Sequence, residues 1–119
     1  MGVTPHQLGK LGEKIAQKYL LGKKYRIVEK GYRLLRGEID LVAYDGETLV
    51  FIEVKTRGPG ALGSPEESVD FRKQKQLRKI AEGYLALNEI EEKECRFDVI
   101  SLFFDNNGDY TLSHYKDAF

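Results

Sequence analysis

Cys95 is the only cysteine in this 119-residue chain, and tryptophan is absent. A single thiol excludes an internal disulfide, a cysteine-ligated zinc site and an iron–sulfur cluster held by this chain alone. Lying beside a strand-like apolar segment, Cys95 reads as a small buried hydrophobe. No run reaches the roughly 18 apolar residues of a membrane-spanning helix, and the amino terminus lacks a signal-peptide apolar region, so no membrane partner and a cytoplasmic location are expected. An excess of one charge is also missing: 19 Lys and Arg balance 19 Asp and Glu. That balance argues against a uniformly basic nucleic-acid binder. The length suits one domain, residues 1–119, with a single core. There is no internal repeat and no phosphate-cradling glycine loop. His6 and His114 lie near opposite ends without metal-ligand spacing, and no role is expected of either.

The charge that is present is unevenly placed. Arg72, Lys73, Lys75, Arg78 and Lys79 crowd one segment, and Glu82, Glu89, Glu91, Glu92 and Glu94 compensate just after it. A basic helix can take up phosphates by counterion release even in a neutral protein, although the same pattern also describes a plain solvated helix face.

Thr4-Pro5-x-Gln7 reads as an N-cap, a first-turn proline and a capping-box partner, and predicts a helix from that point. Leu8, Leu11, Gly12, Ile15, Ala16 and Tyr19 define its buried stripe. Glu13 falls roughly 130° from the stripe's centre, beside Gly9 and Ala16, where small residues allow a close approach. Tyr25 to Glu29 and Gly31 to Leu35 read as a first strand with an irregular or bulged passage into the Asp40 strand. Ser64-Pro65-x-Glu67 repeats the N-cap signature and predicts a second, longer helix with Val69, Leu77, Ile80, Ala81, Tyr84 and Leu85 as its apolar positions. Between them, residues 58–65 form a Gly- and Pro-rich connector of the kind that can close over a site. Cys95 to Phe104 reads as an apolar strand, Asp105 to Asp109 as a turn and Tyr110 to Tyr115 as a closing strand. Asp98 interrupts the apolar strand, and a structural pairing with Arg96 or a helix lysine is expected. The tail from Tyr115 to Phe119 suits an interface or a cover for the sheet edge.

The strongest signal lies in Gly37-Glu38-Ile39-Asp40-Leu41-Val42 and Phe51-Ile52-Glu53-Val54-Lys55. Asp45-Gly46 between two apolar runs predicts a hairpin. An even-numbered loop puts Glu38, Asp40 and Val42 on the same face as Phe51, Glu53 and Lys55. A two-residue turn sets Asp40 diagonal to Glu53 and a four-residue loop sets them opposite; in both cases the carboxylates reach one cation. The other face, with Ile39, Leu41, Ala43, Val50, Ile52 and Val54, carries no charge and reads as core. Mg²⁺ and Mn²⁺ prefer oxygen ligands, and Asp40 and Glu53 meet that requirement. The Lys55 ammonium lies on the same face and can reach a phosphate or orient an attacking water. Acid and base on a strand are commonplace on solvated faces, but these charges interrupt segments that otherwise read as buried on both sides. Just upstream, Arg33 and Arg36 can clamp phosphate or pair with Glu38.

These residues resemble the PD-(D/E)xK nuclease superfamily, and more closely the uncharacterised bacterial YraN-like family, which is similar to archaeal Holliday junction resolvases. The resemblance runs through Gly9-Lys10-Leu11-Gly12-Glu13-Lys14-Ile15-Ala16, the two strand motifs, Thr56-Arg57, Ser68-Val69, Lys73-Gln74 and Arg96-Phe97-Asp98-Val99-Ile100. Ile39 stands where the superfamily motif has its proline. The resemblance implies a restriction-endonuclease-like α/β fold, a central mixed sheet flanked by helices, in agreement with the element order α-β-β-β-α-β-β. It implies that Asp40 and Glu53 bind metal, that Lys55 is catalytic and that Glu13 completes the site. Arg57, Lys73 and Gln74 would contact the nucleic-acid backbone or order the site. The expected activity is Mg²⁺- or Mn²⁺-dependent cleavage of DNA, with branched DNA and a homodimer suggested by the resolvases. The alternative is a non-catalytic nucleic-acid-binding module of the same fold, and a third reading is a protein-interaction partner in a repair complex.

Overall fold

The computed structural model describes residues 3–59 and 69–119. Helix α1 spans Pro5–Gly22 and opens with the reciprocal capping expected of its sequence: Thr4 Oγ1 accepts from the Gln7 N–H at 3.1 Å, and Gln7 Oε1 accepts from the Thr4 N–H at 3.0 Å. Its buried line is Gly12, Ala16 and Leu20. Leu11, expected in the stripe, is 43% exposed. The reason is the size of the residues at the contact. Gly12 lies so close to Thr56 that an added Cβ would run into the Thr56 hydroxyl, and this approach turns the helix about its 12–16–20 edge and leaves Leu11 outside. Gly9 has open space instead, so Gly12 is the residue that permits the approach.

Three strands follow in sequence: β1 (Arg26–Leu34), β2 (Gly37–Asp45) and β3 (Thr48–Arg57). β1 carries a register shift between Ile27 and Glu29, earlier than the irregularity expected on the way into the Asp40 strand. Helix α2 (Phe71–Leu87) then crosses over, and β4 (Cys95–Phe104) and β5 (Tyr110–Tyr115) complete a sheet of order β1-β2-β3-β4-β5. Only β3 and β4 are parallel, as a crossover helix requires. This is the α/β architecture that the resemblance implied, a central mixed sheet flanked by helices.

Both faces of the sheet are core, as the apolar segments around the acids suggested. On one side Ala16 and Leu20 of α1 pack on Leu41, Ala43, Val50, Ile52, Ile100 and Leu102. On the other, Leu77, Ile80, Ala81 and Tyr84 of α2 pack on Ile39, Val42, Phe51, Phe97 and Val99. Ile39 and Leu41 are two residues apart yet belong to opposite clusters, so simple alternation fails at Asp40.

Several further expectations change. The second helix begins at Phe71 with Asp70 as its N-cap, the Asp70 carboxylate accepting from the Lys73 N–H at 2.9 Å. Ser64, Pro65 and Glu67, and most of the 58–65 connector, lie outside the described residues. Val69 is buried but precedes the helix, and the helix is not the longer of the two: it has 17 residues against 18 in α1. Cys95 is exposed, because it opens β4 at the sheet's rim. The C-terminal tail covers the β4 edge beyond the end of β5, as expected, and a sheet face as well. The Ala118 N–H donates to the Phe97 carbonyl at 2.7 Å, and Phe119 stacks on Phe97 with ring centroids 5.0 Å apart. Among the described residues, no helix is long and apolar enough to cross a membrane.

Gly12→Ala is expected to lower stability by about 1–2 kcal/mol although alanine is the better helix former, because overpacking against β3 outweighs the propensity gain. Thermal denaturation followed by circular dichroism reads the change, and a variant as stable as the native protein would show that the helix backs away at no cost.

Candidate active site

The β2–β3 hairpin turns on two residues, Gly46 and Glu47, with Asp45 paired to Thr48. Gly46 sits at φ 61°, at the first loop position where a II′-type turn favours glycine. The turn is therefore one residue later than Asp45-Gly46. That single step moves the register so that a two-residue turn sets Asp40 opposite Glu53, the outcome expected only of a four-residue loop. Backbone pairing runs from Asp45↔Thr48 to Leu41↔Ile52. Beyond it the Asp40 carboxylate takes over, Oδ2 accepting from the Val54 N–H at 2.8 Å.

Two acids so placed do not ionise independently. Burial, then the Glu53 charge, pushes the Asp40 carboxyl up to about 8, against the opposing hydrogen bond from Val54. Glu53 is buried as well, and Lys73 reaches across from the first turn of α2 to put its ammonium 2.5 Å from Glu53 Oε2. Burial alone would pull the Lys73 pKa down; the hydrogen bond and charge of Glu53 outweigh it and hold the ammonium above its ordinary value. Glu13 stands on α1 next to Gly12. Its carboxyl is raised by partial burial and then by the charges of Glu38 and Glu53, so it lies within the field of the same site.

The structure thus brings Asp40, Glu53, Glu13 and Lys73 into one electrostatic neighbourhood, with Glu38 at its edge. Lys55 lies two residues beyond Glu53 on β3, half-buried, and Arg57 ends that strand. Gln74 does not face the acids: its Nε2 donates to the Val69 carbonyl at 2.8 Å and braces the chain that enters α2. Arg33 is exposed and pairs with Glu38 at 3.4 Å. Arg36 lies at the β1–β2 hairpin tip and shares a surface hollow with Arg33. The contact that sequence reasoning missed is Lys73 with Glu53. Nothing local marks it, because it joins a helix start to a strand 20 positions earlier.

Among the described residues, no three His, Cys, Asp or Glu side chains already converge as an ion cage. The donor chemistry nevertheless suits a hard divalent cation: buried Glu53 and half-buried Asp40 lie together with a third carboxylate nearby, and one ammonium does not neutralise them.

Asp98 makes a second polar cluster, separate from this site and structural as anticipated. It accepts from Arg96 Nε and Nη2 at 2.9 and 3.0 Å, from His114 Nε2 at 2.7 Å and from the Asp117 N–H at 3.0 Å. His114, expected to have no role, bridges Asp98 to Tyr19, whose hydroxyl lies 2.9 Å from Nδ1. In the neutral ring, Nε2 donating to the carboxylate leaves Nδ1 to accept from the tyrosine.

A family model for the uncharacterised protein family UPF0102 matches residues 12–102, a span that contains Glu13, Asp40, Glu53, Lys55 and Lys73. The chain belongs to that family. UPF0102 is the YraN-like family to which the sequence motifs pointed. The family's protein from Chlorobium limicola is 49% identical over 124 aligned residues, covering 100% of this chain and 96% of its own. The one from Moorella thermoacetica is 45% identical over 105 residues, with 88% of each chain covered. A solved structure of Pyrococcus furiosus SfsA in complex with Ca²⁺ aligns over 92% of this chain and 62% of its own, with 19% identity and a TM-score of 0.44.

Proposed function

We propose that this UPF0102 protein is a cytoplasmic Mg²⁺- or Mn²⁺-dependent endonuclease that hydrolyses phosphodiester bonds in DNA, with branched DNA of repair or recombination as its substrate and a homodimer as its working form. The observation that supports the reading is the Asp40–Glu53 pair, two carboxylates held opposite each other in a largely buried position where their mutual repulsion is costly. Structure alone does not retain such a pair cheaply, and sites of this kind are enriched in function.

Asp40 and Glu53 would hold the metal, with Glu13 as an additional or outer ligand. Such an ion would lower the pKa of an attacking water and offset the charge that builds on the phosphate. The Val54 N–H fixes the Asp40 carboxylate in place. Lys55 positions the water or stabilises the phosphate. Lys73, paired with Glu53, would offer its ammonium to a phosphate oxygen of bound nucleic acid. Arg57, Arg33 and Arg36 would contact the nucleic-acid backbone.

One observation favours the non-catalytic reading: the Lys73 ammonium already satisfies Glu53. Calorimetric titration with Mn²⁺ separates the two. Saturable binding that disappears in Asp40→Ala supports the nuclease, and no heat at millimolar Mn²⁺, with or without a DNA strand present, favours the binding module. Lys55→Ala is expected to keep Mn²⁺ binding while cutting DNA turnover by about 10²–10³-fold, in line with loss of one charged group acting on the transition state. Unchanged turnover would remove Lys55 from the mechanism.

A further inference from the structure

The β1–β2 hairpin is closed by residues its geometry disfavours. Leu34 pairs with Gly37 across it, and the two connecting residues are both left-handed, Leu35 at φ 53° and Arg36 at φ 60°. Two positive φ angles make a type I′ turn, whose usual occupants are Asn and Gly. A branched leucine and a long arginine are strained there, and strain of this kind tends to persist where the side chains do something.

What they do is line a surface. Leu35 is 62% exposed and forms one wall of a groove of about 550 Å³ whose other wall is Arg72, Lys75, Gln76 and Lys79 of α2. At the start of the same helix Phe71 is 70% exposed, with the Lys75 ammonium 5.1 Å from its ring centroid. Two residues further on, Lys73 reaches Glu53. One helix therefore presents a row of cations, an exposed aromatic ring with Lys75 over one face and a link to the candidate active site, and the Leu35-Arg36 hairpin tip stands across from it.

A duplex of DNA offers such a surface only half of what it can bind. Its phosphates meet the cations, but its base faces are stacked away from Phe71. An unpaired strand exposes phosphates and π-faces together, and stacking on an aromatic side chain is indifferent to base identity. We propose that the groove between the hairpin tip and α2 binds an unpaired DNA strand, with phosphates on Arg72, Lys75 and Lys79 and on Arg36 at the adjoining side of the tip, and a base stacked on Phe71, on the helix whose Lys73 meets Glu53. This rests on the DNA-cleaving reading above and names its substrate class: DNA that carries a single-stranded segment next to the scissile bond.

Fluorescence anisotropy with a labelled single-stranded oligonucleotide and a blunt duplex of the same length, in EDTA, tests the groove independently of metal and cleavage. The native protein is expected to prefer the single strand, with a slope of log K against log salt of roughly −2 to −3 for its four cations. Phe71→Ala should weaken single-strand binding about tenfold and leave duplex binding unchanged, and Phe71→Tyr should restore it. The double substitution Leu35→Asn with Arg36→Gly, which gives the turn its preferred residues, should raise the melting temperature and still weaken single-strand binding. Single-strand affinity unaltered in Phe71→Ala, an equal loss on duplex, or a native preference for duplex would overturn this site and leave the DNA reading standing. Absence of binding to either form at low salt would overturn both. A stabilised hairpin variant with native affinity would remove the hairpin tip from the site.

Discussion

Asp98→Ala lowers the melting temperature by roughly 10–20 °C, the scale expected for a domain of this length when about 3–5 kcal/mol is lost. Asp98 is fully buried and takes four hydrogen bonds, from Arg96 twice, from His114 and from the Asp117 backbone. Arg96 also donates to Tyr25 Oη at 2.8 Å and to Asp45 Oδ2 at 3.1 Å. Through Tyr19 and Tyr25 the cluster ties α1 and the entry to β1 onto β4 and β5. Removing the carboxylate strands a mostly buried guanidinium and an imidazole, and the desolvation cost of orphaned groups exceeds the worth of any one bond. Burial would raise the Asp98 carboxyl, but His114, Arg96 and the Asp117 N–H outweigh it and hold it below its ordinary value. A depressed folded-state pKa stabilises above the unfolded value of about 4 and loses that contribution as pH falls through the folded value. The native protein and the variant should therefore differ fully at pH 7 and converge in strong acid. Melting curves at pH 7 and pH 3 measure this, and a fall of less than 2 °C at neutral pH would mean that Arg96 and His114 find other partners.

Asp40→Asn works in the opposite direction. It should abolish cleavage while making the metal-free protein more stable above pH 8, by about 2 kcal/mol or roughly 5–10 °C. The sign follows from a raised carboxyl pKa: below about pH 4 both folded and unfolded states are protonated, and as pH climbs towards about 8 only the unfolded chain gives up its proton freely. The folded state is thus progressively disfavoured across that window, and above it the full cost of a buried charge facing Glu53 is present. Asparagine removes the charge and can still accept from the Val54 N–H. At pH 5 the gain should shrink. Added Mn²⁺ should stabilise the native protein and not the variant, since only a ligand that binds the folded state shifts its melting. A variant that melts lower than native at pH 8.5 would mean that the carboxylate is compensated already, by Lys73 alone.

These two acids also divide what could be read from the chain. Asp98 interrupts an apolar strand beside Arg96, and a structural ion pair was legible from that neighbourhood. His114 was not, because its bond to Asp98 spans 16 positions and joins two strands whose register depends on the whole of β4 and β5. Asp40 and Glu53 were legible as partners because a hairpin is a local object. Their direct opposition was not, since it depended on whether the turn began at Asp45 or Gly46. Leu11 misled for a related reason: periodicity locates an apolar stripe, but the size of Gly12 at the point of contact decides which edge of it is buried.

By itself the sequence determined the order of elements, the capped start of α1, the charged motif on β2 and β3 and the family to which the chain belongs. Each depends on residues within a few positions of one another, where backbone sterics, hydrogen bonding and side-chain periodicity act directly. Tertiary structure alone decided that Ile39 and Leu41 enter opposite cores, that Lys73 meets Glu53, that His114 anchors Asp98 and that Leu35 faces the basic side of α2 across one groove. Those pairings arise from how two helices settle on opposite faces of a twisted sheet, a balance of packing and desolvation over the whole chain that no local pattern encodes.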